Sequence, residues 1–156
     1  LIKVDSGIDT GDVLLDKTFT LNETDTINDL HSKANKEFPR MLVKVIEKLE
    51  SSNLIFRKQK NDSSSYFPLR FPEDGYLFFD QVSAEKLHAS VRALTSPYPG
   101  VLTFYGNQKI IILKTSLTKR PYYGEPGRIY RISDERGILV CAKDKCVWCW
   151  VCLDLL

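Results

Sequence analysis

The sequence lacks any apolar run near the roughly 20 residues that a membrane-spanning helix needs. Its start, Leu1-Ile2-Lys3-Val4-Asp5, has neither a methionine nor the basic-then-apolar plan of a signal peptide. These absences exclude a helical membrane protein and give the expectation of a cytoplasmic chain with no membrane partner. A strong charge of either sign is also missing: 22 Lys and Arg face 20 Asp and Glu, for a net +2. Residues 1–75 carry 11 basic against 13 acidic side chains and residues 76–156 carry 11 against 7. That imbalance is too weak to mark a nucleic-acid footprint, yet it leaves room for a phosphate-bearing ligand. The four cysteines all fall between Cys141 and Cys152, which, without an export signal, reads as reduced thiols and not a disulfide frame. What remains is 156 residues, 43% hydrophobic and 27% charged, enough to bury a core.

Ile2-Lys3-Val4 and Val13-Leu14-Leu15 read as two short strands around an acidic, glycine-punctuated turn, Asp5 to Asp12. A chain opening in mid-strand lacks a partner for it, so an upstream portion is expected. From Ile27 to Leu49, apolar residues recur at helical steps through Leu30, Ala34, Phe38, Leu42, Val45 and Ile46. Thr26 with Asp29 resembles a capping box, and Pro39 predicts a kink or a break near Phe38, leaving two shorter helices open. The polar, serine-rich stretch 57–66, followed by Pro68, Pro72 and Gly75, reads as a linker. Ser83 caps a second predicted helix whose face is Ala84, Leu87, Val91 and Leu94, ended by Pro97 and Pro99. Then come short strands: Val101 to Tyr105, a Gly106-Asn107 turn, Lys109 to Lys114, Arg128 to Ile132, Gly137 to Val140, and Val147 to Leu153. Their spacing predicts a small, partly open barrel.

Cys141-x4-Cys146-x2-Cys149-x2-Cys152 has a superficial metal-ligand look. In a strand, however, positions three apart point to opposite faces, so Cys149 faces away from Cys146 and Cys152 and the four thiolates cannot converge. The expectation is no metal and cysteines used as small core hydrophobes. His88 lies four residues before Arg92 on one helix side and reads as a packed residue, not a ligand.

Three stretches carry a resemblance. Gly7-Ile8-Asp9-Thr10-Gly11-Asp12-Val13-Leu14, Tyr66-Phe67-Pro68-Leu69-Arg70-Phe71-Pro72-Glu73-Asp74-Gly75 and Val91-Arg92-Ala93-Leu94-Thr95-Ser96-Pro97-Tyr98-Pro99-Gly100 are similar, in that order, to signatures of the folate-dependent formyltransferases. Arg70-Phe71-Pro72-Glu73-Asp74-Gly75, Pro97-Tyr98-Pro99-Gly100 and Gly106-Asn107-Gln108-Lys109 make the chain more similar to sugar-nucleotide N-formyltransferases than to methionyl-tRNA formyltransferase, which is the alternative. Relatives carry an acidic residue and Trp after the Pro-Glu-Asp-Gly run, where this chain has Phe78-Phe79.

The resemblance implies an α/β chain: the end of a Rossmann-like catalytic domain over residues 1–52, a linker over 53–82, and a helix plus a small OB-like β-barrel over 83–156. It implies 10-formyltetrahydrofolate as formyl donor and a nucleotide-linked amino sugar as acceptor. Asp9 matches the catalytic carboxylate, and Gly11 gives room to the folate. The upstream Asn-x-His pair and His-x-Ser-Leu-Leu-Pro run are absent, and Asn28-Asp29-Leu30-His31 does not replace them, so the chain alone should be inactive.

Arg70 and Arg92 are candidates for the diphosphate, since a guanidinium fork pairs with two phosphate oxygens, and Tyr98 is a candidate to stack on the base. The same residue types have plainer uses: Asp9 as a turn carboxylate, Arg92 in an ion pair, Tyr98 in packing. Under the alternative the barrel binds tRNA, with Arg120, Arg128 and Arg131 as its nearest basic cluster. A homodimer through Trp148, Trp150, Phe78 and Phe79 is the remaining partner expectation.

Overall fold

The computed structural model describes residues 1–60 and 64–153. Positions 61–63 of the predicted linker lie outside the described residues. The chain divides into two compact units, one formed by Leu1–Glu23 with Asp29–Leu69 and the other by Thr24–Asn28 with Arg70–Leu156.

In the first unit the predicted N-terminal strands are replaced by single bridges. Ile2 pairs with Val13 and Val13 with Arg57, both antiparallel. Val13 N–H donates to the Arg57 carbonyl at 2.8 Å and Lys3 N–H to that of Asp12 at 2.9 Å. One helix, α1 (Ile27–Glu50), runs unbroken through Pro39, so of the kink or break expected there the break, with its two shorter helices, does not occur. Pro39 removes one backbone donor, but the turns on both sides keep theirs, so the helix continues across the missing bond. Met41 and Val45 are its buried residues, whereas Phe38, Leu42, Ile46 and Leu49 of the apolar stripe are exposed.

The second unit starts with a 3-10 turn (Pro72–Gly75) and a helix, α2 (Ala84–Leu94). As predicted, Ser83 caps α2, its side chain accepting from the Lys86 N–H, and Ala84, Leu87 and Val91 are buried. Asp144 Oδ1 accepts the Ala84 N–H at 2.8 Å, satisfying a second orphan donor at the positive end of the helix. Five antiparallel strands follow: β1 (Val101–Tyr105), β2 (Gln108–Leu117), β3 (Ile129–Ser133), β4 (Gly137–Cys141) and β5 (Cys146–Leu153). Their spatial order is β1-β2-β5-β4-β3. The predicted Gly106-Asn107 turn joins β1 to β2, with Val101 opposite Ile112 and Tyr105 opposite Gln108. Register shifts between Ile112 and Lys114 in β2 and between Ile129 and Arg131 in β3 are bulges of the kind that bend a sheet.

The alternation of β5 divides the core. Val147 and Cys149 pack with Leu87, Val91, Val101 and Ile112 beneath α2. Cys146 and Trp148 lie on the other face with Leu139 and Cys141, and Trp150 packs against them. Cys146 and Cys149 thus do face opposite ways. The reduced-thiol expectation is corrected: Cys141 and Cys146, directly opposite across the β4 and β5 pair, form a disulfide. Cys149 is buried as expected, but Cys152 is exposed and so is no core hydrophobe.

Candidate functional site

Asp9 sits in a turn held from three directions. Asp5 Oδ1 accepts the Gly7 N–H at 3.0 Å and the Thr10 hydroxyl at 2.6 Å. These two bonds, the Thr10 hydroxyl foremost, hold the exposed Asp5 carboxyl below its ordinary value. Asp5, expected to serve the turn, does so. Gln59 Nε2 donates to the backbone carbonyls of Asp9 at 2.8 Å and Gly11 at 2.7 Å, which ties residue 59 across the turn. Gly11 is required by close approach, because a Cβ there would lie 1.6 Å from the Lys3 carbonyl oxygen. Asp9 itself takes a φ of 55°, the left-handed conformation that Asp tolerates better than most residues. The result is an exposed carboxylate on a turn whose backbone is fixed on both sides.

In the second unit the structure brings Arg70 and Tyr98 together. Both line a cleft of about 480 Å³, with Phe71, Pro72, Leu94 and Gly100. The cleft mouth is shaped by the 3-10 turn. Asp74 folds back so that its carboxylate accepts the Phe71 N–H at 2.8 Å, while Arg70 Nη2 donates to the Asp74 carbonyl at 3.1 Å. Arg70 therefore has one side of its guanidinium anchored and remains exposed. Tyr98 N–H donates to the Thr95 carbonyl at 3.2 Å and Gly100 N–H to that of Leu94 at 2.9 Å, closing the α2 end over the cleft. The bond from Ser96 to Pro97 is cis.

Arg92 is not among the cleft residues. Its Nη1 donates to the Asp25 carbonyl at 2.8 Å, and its buried Nε has no partner among the described residues. A guanidinium spent on a main-chain carbonyl positions the Thr24–Asn28 segment against α2 instead of offering a fork to a ligand. His88 Nδ1 lies 2.8 Å from Thr115 Oγ1, a nearly buried hydroxyl on β2. Burial first, and the nearby Arg92 charge second, push the imidazole below its ordinary 6.5. That is the packed histidine the sequence predicts.

Residue-by-residue reading missed Gln59, whose two bonds span about 50 positions of sequence. No local pattern marks such a residue.

Comparisons with known proteins show the family of the chain. Residues 71–151 match the model of the family "Formyl transferase, C-terminal domain". The chain is 30% identical over 132 residues to the methionyl-tRNA formyltransferase of Caldanaerobacter subterraneus subsp. tengcongensis, covering 85% of this chain and 42% of that protein. It is 32% identical over 130 residues to the bifunctional polymyxin resistance protein ArnA of Wigglesworthia glossinidia brevipalpis, covering 78% of this chain and 18% of that one. The chain thus spans less than half the length of these curated relatives. Its fold matches the N-formyltransferase of Helicobacter canadensis, solved with folinic acid and dTDP-3-aminofucose, at a TM-score of 0.70 and 22% identity over 96% of this chain and 53% of the other. The chain belongs to the formyl transferase family, and residues 71–151 match its C-terminal domain.

Proposed function

We propose that this chain is the C-terminal portion of an N-formyltransferase that moves a formyl group from 10-formyltetrahydrofolate to the amine of a nucleotide-linked amino sugar. The observation that carries the reading is the Asp9 turn: an exposed carboxylate on a turn whose backbone is held by Asp5, Gln59 and the Gly11 approach. An attacking amine must lose a proton, and a carboxylate at a fixed position accepts it or orients the group that does. The donor, when bound, supplies the formyl carbon. Asp9 is the residue present here that would serve the transfer, by taking up or relaying the proton of the attacking amine. Gly11 serves the folate indirectly, by letting Lys3 close on the turn.

Arg70 and Tyr98 take the acceptor, the guanidinium pairing with the diphosphate and the ring stacking on the base. A cleft of about 480 Å³ is in the range for such a ligand. Arg92 acts by positioning. The Asn-x-His pair that the resemblance calls for is not in these 156 residues, so in this reading the chain alone does not turn over. In this reading residues 1–52 end a Rossmann-like domain, 53–82 link, and 83–156 form the helix and an OB-like barrel whose curvature the two bulges favour. In this reading the protein works in the cytoplasm, and a homodimer would use the Trp148, Trp150, Phe78 and Phe79 surfaces. No helix among the described residues is long and apolar enough to cross a membrane.

The second reading, methionyl-tRNA formyltransferase, is favoured by the 30% identity to a protein of that name. A discriminating assay supplies the protein, extended by what its reading frame encodes before Leu1, with 10-formyltetrahydrofolate and either UDP-4-amino-4-deoxy-L-arabinose or methionyl-tRNA. The proposal expects formylation of the sugar amine, weakened at least tenfold in KM by Arg70→Ala. Formylation of methionyl-tRNA alone would transfer the conclusion to the second reading.

A further inference from the structure

The sheet face turned away from α2 holds a second cleft, of about 710 Å³, with no part in the chemistry above. It is built from the end of β2 and the loop after it, from β3 and β4, and from both tryptophans of β5. Lys119, Arg120, Arg131 and Arg136 line it, and no carboxylate does. None of these four cations is ion-paired with a described residue. Four cations outside any direct ion pair in one concavity repel one another, even with Asp134 and Glu135 in the cleft that adjoins Arg131 and Arg136, and an arrangement of that kind is relieved by an anion.

Aromatic surface lies between the charges. Tyr122 is exposed at the rim, Trp150 is half-buried, and Trp148 forms the floor at 7% exposure. Two cations already sit over the rings, Lys114 at 5.2 Å from the Trp150 centroid and Arg136 at 5.8 Å from that of Trp148. These contacts keep positive charge beside flat apolar faces, the pairing that a base with its phosphates uses. Thr118, also in the lining, has a buried hydroxyl without a partner among the described residues. A buried unpaired hydroxyl is costly, and a ligand oxygen would satisfy it.

We propose that this cleft is a second nucleotide site, taking a nucleoside diphosphate with its base against Tyr122 and Trp150 and its phosphates on Arg120, Arg131 and Arg136. The bounded concavity and the modest charge of residues 76–156 favour one nucleotide over a long polyanion, which needs a continuous basic stripe. The site stands apart from the Arg70 cleft, and the two are tested separately.

Trp148 and Trp150 are the chain's two tryptophans and both line this cleft, whereas neither lines the Arg70 cleft, so intrinsic fluorescence separates the two. The experiment titrates the chain with UDP, with pyrophosphate, and with a single-stranded RNA of about 12 nucleotides, on the unmutated protein and on Arg131→Ala, Arg131→Lys, Tyr122→Ala and Arg70→Ala. Far-UV circular dichroism checks that each variant is folded. The expected result is saturable quenching by UDP, weakened at least tenfold by Arg131→Ala and by Tyr122→Ala, less by Arg131→Lys, and unchanged by Arg70→Ala. No quenching by UDP overturns the proposal. So does UDP affinity that falls with Arg70→Ala alone, pyrophosphate affinity equal to that of UDP, or RNA binding that UDP does not displace.

Discussion

Gly137 opens β4 with a φ of 75°, and a Cβ placed on it would lie 2.2 Å from the Cys149 carbonyl oxygen and 2.9 Å from its carbon. Both atoms are backbone of the neighbouring strand β5, so no side chain can swing away. Alanine there combines a left-handed conformation, which costs roughly 1–2 kcal/mol outside glycine, with an overpacked contact of about 1–3 kcal/mol. The reduced freedom of the unfolded chain returns about 0.4–1 kcal/mol, which leaves a net loss of about 1–5 kcal/mol. Gly106 and Gly127 are internal controls: each has positive φ, at 57° and 78°, but a Cβ on either meets nothing within 4 Å. Alanine at those positions should lose only about 1 kcal/mol. Urea unfolding followed by tryptophan fluorescence reads the second unit, since both tryptophans lie in β5. If Gly137→Ala proves no less stable than Gly106→Ala, the packing of β4 on β5 is misdescribed.

The stability of the second unit should fall as the pH drops below 6.5. Above that value His88 is neutral in both states, whereas below it the unfolded chain takes up the proton before the folded one, whose imidazole is held lower by burial and Arg92. Urea midpoints measured at about pH 7.5 and about pH 5.5 should show this loss, and His88→Gln should flatten it. Thiol counting by a disulfide reagent on the chain unfolded without reductant should find two free thiols, from Cys149 and Cys152, and four after reduction. In the folded protein Cys152 should react first, because burial pushes the Cys149 thiol up to about 12.

What the sequence showed and what it hid follow from the range of the interactions. The α2 cap at Ser83, its Ala84, Leu87 and Val91 face, and the Gly106-Asn107 hairpin are set by neighbours within a few residues, so pattern reading finds them. The same holds for the opposite directions of Cys146 and Cys149, which strand alternation dictates. The disulfide escaped because Cys141 meets Cys146 only once β4 pairs with β5, a contact that no export signal or cysteine spacing announces. Arg92 resembled a ligand residue because its partner, the Asp25 carbonyl, is 67 positions away. At the N-terminus, alternation in Ile2-Lys3-Val4 promised strands, but Val13 is shared between Ile2 and Arg57 as single bridges and no ladder forms. Of the candidate residues, the Asp9 turn was legible through Gly7 and Gly11. The Gln59 clamp across it was not.

The most direct test replaces the one carboxylate on which the chemistry rests. In the protein extended upstream of Leu1, formyl transfer to the amino-sugar nucleotide should fall at least about a hundredfold in kcat with Asp9→Asn, as for loss of a general base. The donor and acceptor affinities and the urea midpoint should stay within error. Undiminished kcat in that variant would contradict the assignment of Asp9 and, with it, the account of this turn as the reacting end of the molecule.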